Sequence, residues 1–592
     1  VMSTLGQPTA SIYDLLQQSA ERFGEQTAFT YLKTITPEFN AETHSYASLL
    51  SNVRRVVRLI HDLADSASTT PPVVSFLLPN TPETHYILWG AETAGIANPL
   101  NPLLSAEALV ALMSKAKTDI LIALGPNPAS DIWEKAQTVA AQLPGETILI
   151  PAIFSGAQTG DLFETQLQNY SDEPLAIEHL PKGDDVAAYF HTGGTTSMPK
   201  LAMHTHTNQL CSAYAFQRTM KAGAGDVGIN GLPMFHVAGA LVTGLGGLAV
   251  GINTVLPTMG GFRNPEVIKR YWDIVEHYGV TIAGAIPTSI AAIAEVPIGG
   301  ADISALRYLW TGGATLPRSV EDDITQLSGC PIYQIYGMTE AAGCITMPNL
   351  ELAPLPGSAG HVSGDVDMRI DTNDQSPNAV GEICVRGPLV FPGYLGVNTS
   401  PLDKGWLRTG DLGYLDKNNN LFITGRAKDL IIRSGNNIDP IVIETCLESH
   451  PAVSMAAAVG RPDIYAGELP VAYVQLHPGH PVTEGELRDY AMTHIDERPA
   501  CPKSVTVLDA LPLTAVGKLH KPTLRAMATE VCVRDALAEV ATAANTDIQA
   551  KVLTTGGLRV TVKSATPNEK LAAACADLGK QLHVDIVLEN LE

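Results

Sequence analysis

The sequence predicts an α/β protein. A large amino-terminal domain of αβ sheets ends in a small β-barrel-like part, is hinged to a small α+β domain, and is followed by an extra α+β tail. Three patterns predict this. Strand-length apolar runs alternate with helical periodicity through most of the first ~400 residues, which implies parallel sheets covered by crossover helices. Short β segments with turns, such as Lys417-Asn-Asn-Asn420, replace that alternation from Ala379 to Ile423. Beyond a charged cluster at 425–430, two further mixed patterns follow, and 592 residues exceed what one hydrophobic core organises. The expected divisions are 1–426, 427–527 and 528–592.

In order along the chain, Pro72–Leu78 reads as a strand before a helix near Glu83–Gly95, and Asp119–Leu124 as a strand before a helix near Asp131–Leu143. Val237–Phe262 has no charged side chain and imitates a membrane span. Gly239, Gly244, Gly246, Gly247, Gly251, Asn253 and Pro257 interrupt it, so a buried helix followed by a buried strand fits better. The small unit reads as helix Pro440–His450 with strands Val453–Val459 and Val471–Leu476. The tail reads as helix Arg534–Ala541, strand Ile548–Leu553, turn Thr554–Gly557, strand Leu558–Lys563, helix Asn568–Leu582 and strand Val584–Leu588.

A formal charge of −23 argues against nucleic-acid or anionic-membrane partners, so any site for a polyanion must gather positive charge locally. The eight cysteines show neither metal-ligand spacing nor a disulfide framework, and a reduced, cytoplasmic protein is expected. The start, Val1-Met2-Ser-Thr, lacks the basic and apolar regions of a leader.

Chemistry concentrates in Tyr189-Phe-His-Thr-Gly-Gly-Thr-Thr-Ser-Met-Pro-Lys200, where an apolar strand end breaks into a glycine- and hydroxyl-rich loop closed by lysine. Close backbone N–H groups and hydroxyls suit such a loop to phosphate oxygens. Its spacing is not that of the common nucleotide loop, which ends Gly-Lys-Ser/Thr. Five further stretches follow in order: Trp310-Thr-Gly-Gly-Ala-Thr-Leu-Pro317, Gln334-Ile-Tyr-Gly-Met-Thr-Glu340, Trp406-Leu-Arg-Thr-Gly-Asp411, the run Gly425–Ile438, and Leu511-Pro-Leu-Thr-Ala-Val-Gly-Lys518.

This ordered set, across roughly residues 10–525, resembles the adenylate-forming superfamily of acyl-CoA synthetases, luciferases and peptide-synthetase adenylation domains, and within it the bacterial fatty-acid-type synthetases. The resemblance implies ATP, Mg²⁺ and coenzyme A as cofactors, with a carboxylic acid first joined to AMP and then passed to a thiol. Lys518 would reach between the carboxylate and the α-phosphate, and two anions meeting there put charge neutralisation first. Thr192, Gly193, Gly194, Thr195, Thr196, Ser197 and Lys200 would hold the departing phosphates, although Ser197 and Leu201 stand where glycine is usual. Gly313, Ala314 and Thr315 would line one side of the adenine, with Gln334, Ile335 and Tyr336 on the other. Gly337 would leave room for the acyl group, beside Met338, and Thr339 would touch the α-phosphate. Glu340, with Thr196, would hold Mg²⁺. Asp411 would take the ribose hydroxyls, beside Ile423 and Arg426.

The same resemblance makes Lys428 the hinge and lets Arg433, Ser434 and Gly435 meet the thiol after the small domain turns. His236 would border the substrate carboxylate, and small residues after it imply a medium or long aliphatic acid, or a bulky ring acid, rather than acetate. An acyl-AMP ligase loading a carrier protein in trans and a non-catalytic nucleotide-binding relative are the alternatives. A homodimer is compatible with the tail; no nucleic acid and no integral membrane span are expected.

Overall fold

The computed structural model describes residues 10–64, 70–145, 147–152, 162–177, 180–192, 200–374, 376–514, 517–541, 546–552, 558–565 and 567–590. Two seven-stranded sheets form the large part. One runs, by neighbours, through Ile332–Ile335, Tyr308–Gly312, Ile282–Ala285, Val227–Ile229, Asn253–Pro257, Thr27–Thr34 and Asn40–Ser45. The other runs through Gly393–Tyr394, Leu201–Thr205, Val186–His191, Ile96–Pro99, Val73–Leu77, Ile120–Leu124 and Ile148–Ala152. Both are parallel at their centres and antiparallel only toward an edge. Val73–Leu77 and Ile120–Leu124 are buried along their whole length, the reason they read as unbroken apolar runs.

A five-stranded antiparallel sheet closes the large part: Asp367–Asp371, Gly381–Arg386, Trp406–Leu415, Leu402–Asp403 and Leu421–Arg426. The β-rich stretch after Ala379 is therefore present, but Gly393–Tyr394 leaves it to pair with Leu201–Thr205 in the neighbouring sheet.

The span-like stretch forms a π-helix, Ala238–Leu245, then helix Gly246–Val250 and strand Asn253–Pro257, nearly all buried. Glycine permits the close backbone approach at the start of this wider turn. A Cβ on Gly239 would lie 2.4 Å from the Pro233 carbonyl oxygen. The Thr243 hydroxyl donates to the Ala238 and Gly239 carbonyls at 2.9 and 3.0 Å, and Asn230 Nδ2 donates to Gly239 at 3.1 Å. These side chains satisfy carbonyls that the wider turn leaves short of partners, and π-turns of this kind concentrate at functional sites. Among the described residues, no helix is long and apolar enough to cross a membrane.

The small lobe packs helices Pro440–Glu448 and Glu484–His494 on a sheet of Asn436–Ile438, Ile431–Arg433, Gly467–Leu476, Val453–Asp463 and Val505–Val507. Thr483 and Glu486 form a capping box at the start of the second helix. The tail is a three-stranded sheet, Thr546–Val552, Leu558–Ser564 and Asp585–Asn590, under helix Glu569–Leu582. Its expected turn at 554–557 lies outside the described residues. Its first helix does not begin at Arg534: one continuous helix, Lys521–Ala541, serves both units. Leu524 and Ala528 pack in the small-lobe core, Val533 and Leu537 in the tail core. No glycine or proline interrupts it between those two sets, so the sequence offers no break.

Leu571, fully buried in the tail core, tests whether that core stands by itself. Leu571→Ala should remove about 2–5 kcal/mol of local stability. Limited proteolysis should then release the tail early, with the large part's melting transition unmoved.

Candidate active site

The site lies where the two large sheets present the carboxyl ends of their strands, the usual ligand crevice of parallel sheets. Gly313 follows strand Tyr308–Gly312, Tyr336 follows Ile332–Ile335, and Thr192 follows Val186–His191. Thr192 N–H donates to the Lys200 carbonyl at 2.8 Å and so closes the base of the glycine-rich hairpin. Gly193, Gly194, Thr195, Thr196 and Ser197 lie outside the described residues.

Asp411 is the most enclosed charge of the group, 4% exposed. It sits opposite Arg426 in the antiparallel register of Trp406–Leu415 and Leu421–Arg426. Arg426 Nε meets its Oδ1 at 2.7 Å, and the Tyr336 hydroxyl donates to Oδ2 at 2.6 Å. Burial first, then the Asp411 charge, raise the Tyr336 phenol well above its ordinary pKa, so it stays a donor. A carboxylate has about four acceptor directions, so each oxygen can still accept from a further hydroxyl. Ile423, half-buried, lies on the strand that carries Arg426.

Gly313, Ala314 and Thr315 are exposed at the mouth of the crevice. Leu316 N–H donates to Gln334 Oε1 at 3.2 Å and ties this turn to the next strand. Met338 is partly buried, and Ile335 is buried in the core behind. Gly337 does not open volume as the sequence suggested. A Cβ there would lie 1.6 Å from the Gly343 carbonyl oxygen, so this glycine serves a close backbone approach.

Lys518 arrives from the small lobe on a tight loop. Thr514 accepts at its hydroxyl from Lys518 N–H at 3.0 Å and at its carbonyl from Gly517 N–H at 2.9 Å. Gly517 has φ +74°, and its carbonyl accepts from the Thr288 hydroxyl of the large part at 3.1 Å. A Cβ on Gly517 would lie 2.3 Å from Ile286 Cδ1 and 2.9 Å from the Thr288 hydroxyl, so a side chain here would be strained in φ and would have to displace both. The lysine stem then lies over Gly313, whose missing Cβ would be 3.3 Å from Lys518 Cε and 3.7 Å from Nζ. Desolvation, and then Arg426, lower the Lys518 pKa to about 8, against the pull of Asp411 and Glu340. Sequence-distant Lys518, Arg426, Asp411 and Glu340 therefore share one electrostatic neighbourhood.

His236 belongs to it too. Burial, then the Lys518 charge, then His191 lower its pKa to about 3. Its Nδ1 accepts from Ala238 N–H at 3.2 Å, which leaves the proton of the neutral ring on Nε2. His191, absent from the sequence-based set, stacks on Phe235 with centroids 5.8 Å apart and is lowered by burial to about 4. A lone histidine at a strand end carries no distinguishing pattern.

Glu340 is buried in the turn Thr339–Ala341. His204 Nε2 bonds the Thr339 carbonyl at 2.7 Å, and Phe391 N–H donates to the Glu340 carbonyl at 3.0 Å. The Tyr394 hydroxyl donates to Glu340 Oε1 at 2.6 Å, which leaves the other carboxylate oxygen for a hard cation. Among the described residues no cluster of three or more metal-ligating side chains occurs. A single carboxylate fits Mg²⁺, which keeps waters and takes its remaining ligands from substrate phosphates.

Arg433, Ser434 and Gly435 form the tip of a two-residue hairpin with φ +51° and +84° at Ser434 and Gly435. The hydrogen-bond partners recorded for this tip lie in the small lobe: Ser434 N–H donates to Ala466, and Arg433 Nη1 to Pro499. The structure thus gathers Lys518, His236, Glu340, Asp411, Arg426 and Tyr336. Lys428 sits in the turn Ala427–Asp429 between the lobes, and its carbonyl accepts from Arg525 at 3.3 Å.

The chain resembles known proteins over most of its length. Marinolic acid–CoA ligase of Pseudoalteromonas sp. (strain SANK 73390) is 32% identical over 594 residues, spanning 97% of this chain and 90% of that protein. 4-Coumarate–CoA ligase 2 of Nicotiana tabacum is 31% identical over 511 residues, spanning 82% and 90%. The o-succinylbenzoate coenzyme A synthetase of Bacillus subtilis, solved with ATP and magnesium ion, superposes with TM-score 0.70 at 27% identity, over 86% of this chain and 99% of that one. An anthranilate CoA ligase solved with anthranoyl-AMP shares the fold at TM-score 0.78 and 19% identity, over 90% and 100%. The AMP-binding enzyme model matches residues 16–395, and that of the AMP-binding enzyme C-terminal domain matches 442–518. By these matches, the chain belongs to the AMP-binding enzyme family.

Proposed function

We propose that this chain is an AMP-forming acid–thiol ligase. A carboxylate oxygen attacks the α-phosphorus of ATP, pyrophosphate leaves, and the thiol of coenzyme A then displaces AMP from the acyl carbonyl. The observation that carries this reading is the delivery of Lys518, by a loop of the small lobe, onto Gly313 beside Asp411, Glu340 and Arg426. A fixed ammonium there offsets the charge that gathers as two anions approach. His236, neutral with its proton on Nε2, donates toward the acid without adding charge. Asp411 orients the ribose, Tyr336 and Gly313–Thr315 flank the base, and Lys200 takes the leaving phosphates with the glycine-rich loop. Glu340 supplies the protein ligand for Mg²⁺, which when bound neutralises phosphate charge. For the second step we propose that the unit 427–527 turns about Lys428, carrying the tail 528–592, so that Lys518 withdraws and Arg433–Gly435 faces the thiol.

The acid we infer is a medium or long aliphatic acid or a bulky ring acid. Two residues, Thr311 and Gly312, separate Gly313 from Trp310, so the two lie at most roughly 10 Å apart along the chain at ~3.3 Å per residue. The Trp310 indole lies across Gly284, where a Cβ would come within 1.9 Å of it. A cavity of about 20 Å³ adjoins it, lined among others by Phe216, Ile229, Thr243 and Ile282; it has room for about one water and does not itself hold an acyl group. The names of the relatives, marinolic acid and 4-coumarate ligases, support an acid of this size.

Three outcomes test this. Lys518→Met should lower ATP–pyrophosphate exchange by about 10²–10³, while thioester formation from supplied acyl-adenylate persists; equal exchange in variant and wild type rejects the role. The ammonium is the active form, so kcat/KM for adenylation should fall as pH rises through about 8. Lys518→Arg should lose that alkaline limb whatever its absolute rate. Trp310→Ala should favour bulkier acids over the best wild-type substrate by at least ~10-fold, read as pyrophosphate release across a chain-length and ring series. Best wild-type activity with acetate would reject the proposed acid class.

A further inference from the structure

We propose that Tyr394 is a positioning residue that sets Glu340 and Lys200 together and keeps them from neutralising each other. No motif in the sequence singles it out, and the inference rests on the adenylate-forming reading above. The phenol hydroxyl donates to Glu340 Oε1 at 2.6 Å, and Lys200 Nζ lies over the same ring, 4.9 Å from its centroid. The ring is itself fixed. Tyr394 pairs with Ala202, Leu395 N–H donates to Leu201 at 2.8 Å, and Phe391 packs edge-on at 4.9 Å while its own N–H holds the Glu340 carbonyl. One short segment, 391–395, thereby grips both the strand leaving the glycine-rich loop and the turn carrying Glu340.

The terminal torsion of a glutamate is broad, so a carboxylate held at one oxygen is held in orientation. The donor is neutral, so Glu340 keeps its charge and its second oxygen for a cation. Lys200 meets the negative face of the ring instead of the carboxylate, and among the described residues no ion pair joins Lys200 to Glu340. Direct pairing would cancel the cation meant for phosphate against the anion meant for metal. The aromatic ring between them prevents that while holding both.

Tyr394→Phe keeps the ring and removes the hydroxyl; Tyr394→Leu removes both. With Mn²⁺ as probe and a non-hydrolysable ATP analogue present, electron paramagnetic resonance should show metal affinity about 10-fold weaker in Tyr394→Phe. Tyr394→Leu should weaken metal and analogue together. Adding Lys200→Met to Tyr394→Leu should restore part of the metal affinity, whereas Lys200→Met alone should not improve it. Melting temperatures establish that each variant is folded. A structural role alone would lower melting temperature and leave the metal affinity of folded Tyr394→Phe unmoved, which overturns the inference. Wild-type exchange activity with unmoved Mn²⁺ affinity in both variants overturns Tyr394 only. A wild type that neither binds Mn²⁺ with the analogue nor exchanges pyrophosphate overturns the ligase reading, and this inference with it.

Discussion

One ammonium belongs to the small lobe and sits on a glycine of the large one, and most of the arrangement exists to permit that contact. Gly517 and Gly313 have φ +74° and +89°, a backbone region that glycine favours, and a Cβ would stand 2.3 Å from Ile286 Cδ1 at the first and 3.3 Å from Lys518 Cε at the second. The Thr288 hydroxyl, which donates to the Gly517 carbonyl at 3.1 Å, fastens the loop to the large part beside this contact. Depression of the amine's pKa is the price of that enclosure: the burial that aims Lys518 also weakens its hold on its proton.

Around this contact the protein solves an electrostatic problem set by its own composition. A chain of charge −23 must attract polyanions. It does so by pairing cations with acids that do not extinguish them. Arg426 shares Asp411 with a phenol, and Lys200 is seated on an aromatic face. Neutral donors, the hydroxyls of Tyr336 and Tyr394, hold carboxylates without altering the total charge. Buried charges are tolerated only when hydrogen-bonded in this manner.

The fold class was legible in the sequence because parallel strands buried on both faces, such as Val73–Leu77, leave continuous apolar runs that alternate with helical patterns. The rest was hidden for particular reasons. The π-helix at Ala238–Leu245 looked like an ordinary buried helix, because its wider turn depends on Asn230 and Thr243 reaching its carbonyls. The start of the last long helix was placed at Arg534 because the apolar face changes partner there, while the backbone continues unbroken from Lys521. Gly337 was read as spare room when the backbone of Gly343 occupies that space. Motif order brought Lys518, Asp411, Arg426 and Glu340 to notice. Tyr394 and His191 escaped, since single aromatic residues at strand ends have no spacing to betray them.

The helix Lys521–Ala541 begins immediately after the loop that carries the ammonium and ends inside the tail core. Twenty-one residues at 1.5 Å each make a rod of roughly 30 Å. If the small lobe turns as proposed above, the terminal sheet is carried at the far end of this rod, as a lever's tip outruns its pivot. The tail would then be a natural pointer: a pair of dyes, one there and one on the large part, would report such a turn as a change in distance.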